Sequence, residues 1–314
     1  MSLKNRKLVA VLGGRPYLDN LTLRVFLPPA IRKKLSDNGI DFILATNNPT
    51  AADQYEKIND LKVVRTSPAI HDEFMSRQQE VKPNLGAETR ETINQYAIEN
   101  GYEYALHLDD NIKSLFYYYA GKNRLVKKYK PETFYDMMIL LFEAAEKSNS
   151  GAIGYEMSAF APGGSPPVLT AGFPYSFFVH RVDKDFKFEN STEDDIIMSI
   201  YNGEQRKPSS VIRNSLLYGK TGKKTSGGGN RKMYQEMLKG NKRGEYAAKM
   251  WPHIYSRKVS YKVISSTKQK EPMLQHKHRL IKPKAWDTQL TYDKALHQSI
   301  RALVIRIANR EEVA

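Results

Sequence analysis

Tyr104-Ala105-Leu106-His107-Leu108-Asp109-Asp110-Asn111 is the stretch on which the reading of this chain turns. Its first five residues have the character of a buried strand, and the run then breaks into three adjacent oxygen-bearing side chains. Further on, Glu193-Asp194-Asp195 opens the apolar stretch Ile196-Ile197-Met198 and makes a second acidic cluster in a basic protein. Open α/β sheets keep their ligands outside the carboxyl ends of their strands, so acids at such an end sit where ligands bind. Carboxylates held there need a reason to stay charged, and a divalent cation carrying a diphosphate is a common one. Turns and helix caps use the same residue types, and capping is expected to explain at least one acid of the second cluster.

Around that stretch the first half alternates strand and helix. Lys7–Leu12 reads as a strand ending at Gly13-Gly14-Arg15-Pro16. Leu23–Leu35 has near-helical apolar spacing, with Pro28-Pro29 expected to kink or delay the helix. Asp41–Thr46 and Lys62–Thr66 read as short strands, and Ala87–Asn100 as a helix stopped by Gly101. Pro131 opens a strong helix through Lys147; Gly151–Met157 and Tyr175–His180 read as further strands. Ser191 or Thr192 is the expected cap of the next helix, and Leu296–Ile307 traces one helical face that docks on the body. This βαβ rhythm predicts an α/β fold, a mostly parallel Rossmann-type sheet flanked by helices, followed by a basic, α-rich C-terminal part. Residues 1–200 and 201–314 are the two regions, read as one continuous catalytic domain.

The net charge of +15 is unevenly spread. Residues 201–284 hold 21 Lys and Arg against 4 Asp and Glu, which leaves the rest of the chain at −2. Tyr218, Tyr234, Tyr246, Trp251, Tyr255 and Tyr261 are interleaved with these charges, a mixture suited to phosphate contact and base stacking. Nucleic acid is the first expected partner and an anionic membrane surface the second, while a solvated lysine-rich surface is the plain alternative. Lys223, Lys224, Arg231, Lys232, Lys242 and Arg243 are the expected DNA contacts. Lys220–Gly229 (KTGKKTSGGG) reads as a segment that is mobile until something binds. No apolar run is long enough for a membrane span. The chain has no cysteine, which excludes disulfides, thiolate metal sites and a cysteine nucleophile, and suits a cytoplasmic location.

The order of elements, with Asp109-Asp110-Asn111 at a strand end and the later acid cluster at a helix start, resembles a GT-A-type glycosyltransferase. A narrower resemblance is to phage glycosyltransferases that decorate hydroxymethylated pyrimidines in DNA, including the TET-associated group. It rests on Ser76-Arg77-Gln78, on the helix feeding "GYEYALHLDDNI", and on the basic, glycine-rich second half. The resemblance implies a UDP-sugar donor and Mn²⁺ or Mg²⁺ held by Asp109, Asp110 and Asn111. Asn in the last position removes one formal charge and leaves open which aspartate binds the metal. It also implies a further ligand from His276 or His278, donor contacts from Gly13, Gly14, Arg15, Arg77 and Asp109, and a general base in the second cluster. Asp194 is the first candidate for that base, Asp195 the reserve, and Glu193 completes the set.

Each feature has a plainer reading. Two glycines after a strand make an ordinary βα turn, Arg77 could form a surface salt bridge, and a histidine pair in a basic stretch is commonly exposed. The function expected is transfer of a sugar to the hydroxymethyl group of a modified pyrimidine, 5-hydroxymethylcytosine first, in phage DNA. The alternatives are glycosyl transfer to polysaccharide or protein, nucleotidyl transfer suggested by GGRP after the first strand, and a non-catalytic DNA-binding protein.

Overall fold

Four apolar runs of the first half lie side by side as parallel strands: β1 (Lys7–Leu12), β2 (Ile40–Thr46), β3 (Val63–Arg65) and β4 (Tyr104–Leu108), in the order β3-β2-β1-β4. The computed structural model describes residues 6–77, 83–119, 122–126, 130–148, 150–158, 168–205, 207–220, 237, 242–263, 270–278, 298–303, 305–306 and 309. The near-continuous apolar character of β1 and β4 follows from their being covered on both faces. Alternate residues split between two cores. Val9, Val11, Leu44, Leu106 and Leu108 pack with helices α1 (Pro29–Asp37) and α5 (Pro131–Lys147). Leu8, Ala10, Ile43, Ala45 and Ala105 meet Ile93 and Ala97 of α4 (Leu85–Glu99). Between these elements lie the short helices α2 (Pro49–Tyr55) and α3 (Pro68–Ser76).

Beyond β4 the sheet becomes mixed. In chain order come β5 (Ile112–Tyr119), β6 (Lys122–Val126), β7 (Ala152–Met157), β8 (Val168–Ala171), β9 (Phe177–Arg181) and β10 (Ser210–Lys220). The full order is β3-β2-β1-β4-β9-β7-β10-β5-β6, with β8 beside β10. β9 runs antiparallel to both β4 and β7, and β10 runs parallel to β7. β10 therefore lies inside the sheet built by the first two hundred residues. Helix α6 (Asp194–Glu204) follows β9, and a separate antiparallel hairpin, β11 (Tyr255–Val263) with β12 (Lys270–His278), follows the short helix α7 (Glu245–Met250).

Several expectations change in detail. Thr22–Phe26 forms a wide turn and α1 starts only at Pro29, because Pro28-Pro29 delays it as anticipated. Glu193, not Ser191 or Thr192, is the N-cap of α6, and it makes no side-chain capping bond. Among the described residues of 201–314 strands outweigh helices: β10, β11 and β12 stand against the rest of α6, α7 and the helical residues between 298 and 309. Lys220, expected in a mobile segment, ends β10; 221–229 lie outside the described residues, as do Lys223, Lys224, Arg231 and Lys232. Ile300 and Leu303 are buried in the main core, so the C-terminal helical face packs on the body. No helix among the described residues is long and apolar enough to cross a membrane.

His107 of β4 and His180 of β9 are fully buried among Phe178, Phe186 and Phe188, and no ring nitrogen of either has a hydrogen-bond partner. Burial drives His180 down to about 4, so the folded chain refuses a proton that the unfolded chain accepts below its ordinary value of ~6.5. Stability is therefore full above that value and falls as pH drops towards 4, by roughly 3 kcal/mol for this histidine. Urea denaturation across this range is expected to show the loss, and His180→Phe is expected to remove the His180 share while His107, also pushed well down by burial, keeps its own. An unchanged slope in that variant would contradict the assignment.

Candidate functional site

The strand order reverses between β1 and β4, and the carboxyl ends of these two strands carry Gly13-Gly14-Arg15 and Asp109-Asp110-Asn111. That is the crevice position where doubly wound sheets bind ligands. Thr22 fixes the acidic turn: its hydroxyl donates to the Asp109 carbonyl at 2.5 Å and accepts from the Ile112 N–H at 3.0 Å. The Asp109 N–H donates to the Ser176 carbonyl at 2.9 Å, which ties the turn to the start of β9.

Asp109 is fully engaged by protein cations. Its Oδ1 takes Arg90 Nη2 at 3.1 Å and its Oδ2 takes Lys220 Nζ at 2.5 Å; the lysine also donates to Ser176 Oγ at 2.7 Å. Burial alone would raise the Asp109 carboxyl, but Lys220 and Arg90 outweigh it and hold it well below the usual carboxylate range. Arg90 then reaches across to the second cluster and pairs with Asp194 Oδ2. The other Asp194 oxygen accepts from Asn84 Nδ2 at 3.0 Å, and the same amide donates to the Ser191 carbonyl at 2.7 Å. Asn84 Oδ1 meanwhile caps α4 through the Gly86 and Ala87 N–H groups. The two acidic clusters are thus joined through one buried guanidinium and the start of one helix.

Two acids stand apart from this lattice. Asp110 approaches Arg15 Nε at 3.3 Å, yet burial pushes its carboxyl up to about 7, with the arginine opposing. Asp195 is the member of the second cluster that keeps partial exposure, while Glu193 and Asp194 are buried. Burial first, and the neighbouring Asp194 charge second, hold the Asp195 carboxyl far above the ordinary range. Glu193 is held by Arg243 Nε at 2.8 Å, which gives Arg243 a bridging place within the site.

The other expected contacts divide. The Gly13 N–H donates to the Ala45 carbonyl at 2.7 Å, and a Cβ there would sit 2.4 Å from Leu44 Cδ2, so this glycine permits close packing of β1 on β2. Gly14 has open space around its Cα and is the glycine free to face a ligand. Arg77 donates to the Phe188 carbonyl at 3.0 Å and lies 3.8 Å from Glu91; neither partner belongs to an acidic cluster. Lys242 pairs with Glu245 on the surface. The backbones of His276 and His278 lie in β12 opposite Arg257 and Tyr255, and their side chains are outside the described residues. Arg90, Lys220, Asn84 and Thr22 belong to the site without being singled out by the sequence as site residues. Arg90 has only a weak signal there, a cation in a run of polar residues at the start of a helix.

Whether a divalent cation suits this corner is decided by which oxygens are open. No group of three or more His, Asp or Glu converges among the described residues, and both oxygens of Asp109 and of Asp194 are taken. Asn111 Oδ1, however, is buried without a partner beside Asp110, whose carboxyl burial leaves under-compensated. An orphaned amide oxygen and an under-compensated carboxylate fit a hard cation that takes its other ligands from a diphosphate and water.

No protein-family model matches the chain, and no curated protein matches it. Among solved structures it is similar to mannose-1-phosphate geranyltransferase from Thermus thermophilus, at 12% identity and a TM-score of 0.30, covering 69% of this chain and 57% of that one. It is also similar to a variant of UDP-glucose pyrophosphorylase from Leishmania major, at 13% identity and a TM-score of 0.28, covering 90% of this chain and 60% of that one. The chain thus spans about three fifths of the length of these structures. With TM-scores this low, neither likeness bears on the chemistry.

The bridging arrangement predicts that Arg90→Met is costly, because it leaves Asp194 buried without its cation. The expected loss is about 3–5 kcal/mol in urea denaturation. Arg90→Lys should recover only part of it, since an ammonium cannot fork between two carboxylates. A loss under about 1 kcal/mol, the worth of an exposed pair, would contradict the bridge.

Proposed function

We propose that this chain is a glycosyltransferase that takes a sugar from a nucleoside diphosphate donor and delivers it to a hydroxyl acceptor, the hydroxymethyl group of a modified pyrimidine in DNA. One observation carries the reading. The turn bearing Asp110 and Asn111 and the helix bearing Asp195 are held together by a single buried Arg90, at the strand-order reversal where Gly14 and Arg15 also follow β1.

In this reading Arg15 and the open backbone at Gly14 receive the diphosphate, and Lys220, with two N–H groups committed to Asp109 and Ser176, keeps a third for a phosphate oxygen. Asp110 and Asn111 would hold Mn²⁺ or Mg²⁺, which when bound supplies Lewis-acid stabilisation of the leaving diphosphate. Asp195 is the base, in preference to Asp194, whose oxygens are committed to Arg90 and Asn84. It takes the proton of the acceptor hydroxyl as that oxygen attacks the anomeric carbon. The bond from that carbon to the diphosphate oxygen breaks, and the nucleoside diphosphate leaves with the electron pair. Attack from the face opposite the leaving group inverts the anomeric centre. A carboxyl held high by burial is better matched to this proton transfer near neutral pH than an ordinary aspartate. Support for DNA as acceptor comes from the concentration of positive charge in 201–284.

Incubation with hydroxymethylcytosine-containing DNA and a panel of UDP-sugars, read by nucleoside mass spectrometry, tests the reading. A sugar-bearing nucleoside is the expected product. Nucleotide binding without such a product would favour a polysaccharide or protein acceptor, and absence of nucleotide binding would end the proposal. Asp195→Asn is expected to lower kcat by about 10²–10⁴ while leaving donor binding intact. In the wild type kcat/KM should rise with pH through an apparent pKa well above the ~4 of an ordinary aspartate, because the base works only when deprotonated. A profile flat above pH 5 would count against Asp195.

A further inference from the structure

The hairpin of β11 and β12 is a two-stranded sheet of its own, not hydrogen-bonded to the main sheet. Its strands pair in unbroken antiparallel register from Tyr255 opposite His278 to Val263 opposite Lys270. Its root is firmly placed. Tyr255 is buried against Ile196, Ile197 and Ala247, and Arg257 donates to the Arg243 carbonyl at 3.0 Å, while Arg243 itself holds Glu193. The ribbon therefore rises from the second acidic cluster, next to Asp195.

Away from the root, described side chains on both faces reach solvent. Lys258 and Tyr261, which strand alternation places on opposite faces, are both exposed, Tyr261 to 66%, and Lys270 and Gln275 are exposed on the partner strand. A two-stranded ribbon outside the main sheet gains little from its own pairing, so a further partner would add to its stability. Charge identifies the kind of partner: residues 255–278 carry six Lys and Arg against one Glu. Shape narrows it further. Nine residues per strand extend about 30 Å, and the major groove of B-form DNA, about 12 Å wide, admits a two-stranded ribbon. The deep, narrow major groove of A-form RNA does not admit such an element.

We infer that the β11–β12 hairpin is an arm that enters the major groove of duplex DNA and brings the groove edge of a base to the Glu193–Asp195 end of the site. The inference rests on the DNA acceptor proposed above. It adds the element that grips the duplex and the groove it uses, which is the groove where a substituent on the 5-carbon of a pyrimidine projects.

The test is fluorescence anisotropy of a short labelled hydroxymethylcytosine duplex with the full chain and with the variant Lys258→Ala, Tyr261→Ala, Lys270→Ala. All three side chains are exposed, so unfolding temperature and UDP binding should match the wild type. Duplex affinity should fall roughly tenfold or more, and the slope of log K against log salt should become shallower by about 2, one for each phosphate-facing lysine removed. Methyl green, which fills the major groove, should compete with the wild type, and netropsin, which fills the minor groove, should not. Wild-type affinity in the variant, or displacement by netropsin instead of methyl green, would overturn the inference. If the wild type binds UDP but no duplex, both the arm and the DNA acceptor fall and the donor site stands. If the duplex binds through the arm but no nucleotide binds, the arm stands and the glycosyl-transfer reading falls.

Discussion

Arg90 is the constraint on which the rest of this site depends. Asp109 and Asp194, brought together from the end of one strand and the start of one helix, would repel each other in a desolvated corner. The guanidinium between Asp109 and Asp194 turns that repulsion into a lattice. Burial works against the charge on Arg90, but the two aspartates more than offset it and keep the arginine protonated. A lysine in its place could satisfy one carboxylate well, whereas the planar fork serves both. The position of Asp195 is thereby tied to the turn of Asp109, because Asp195 is carried on the helix that Asp194 anchors.

The same lattice separates acids by role. Asp109 and Asp194 have every oxygen spoken for and act as struts. Asp110, Asn111 and Asp195 keep oxygens or partial exposure, and burial makes their charged or unpartnered state costly. Groups kept in that condition mark functional sites more often than structural ones. Glu193 extends the lattice outward through Arg243 to the root of the β11–β12 hairpin. The Arg90 lattice and the Glu193–Arg243 link to the hairpin root thus meet at the start of α6.

The parts of this molecule legible in the sequence are those with a strong local period. β1, β4 and α5 lie where apolar spacing predicts, and the acids fall at the strand end and helix start expected of them. The misreadings share a cause. Glu88, Thr89, Arg90, Glu91 and Thr92 are polar yet all buried, and Arg90 and Glu91 find partners about a hundred positions away, in Asp194 and the Phe188 N–H, which no local pattern announces. Lys220 borders a glycine-rich lysine run and reads as mobile by composition; its partner Asp109 comes from the other half of the chain. The charge of Arg243 points to DNA, while its geometry ties it to Glu193. The alternation in Tyr255–Val263 is a usable strand signal, masked by the basic character of the region around it.

The most direct measurement of the central claim is a crystal structure with UDP and manganese soaked in. The account predicts the diphosphate beside Arg15 and Lys220, the ion on Asp110 and Asn111, and Arg90 still clasping Asp109 and Asp194. An ion lodged on Asp109 or Asp194 with Arg90 swung away, or a nucleotide bound at another place on the sheet, would contradict it.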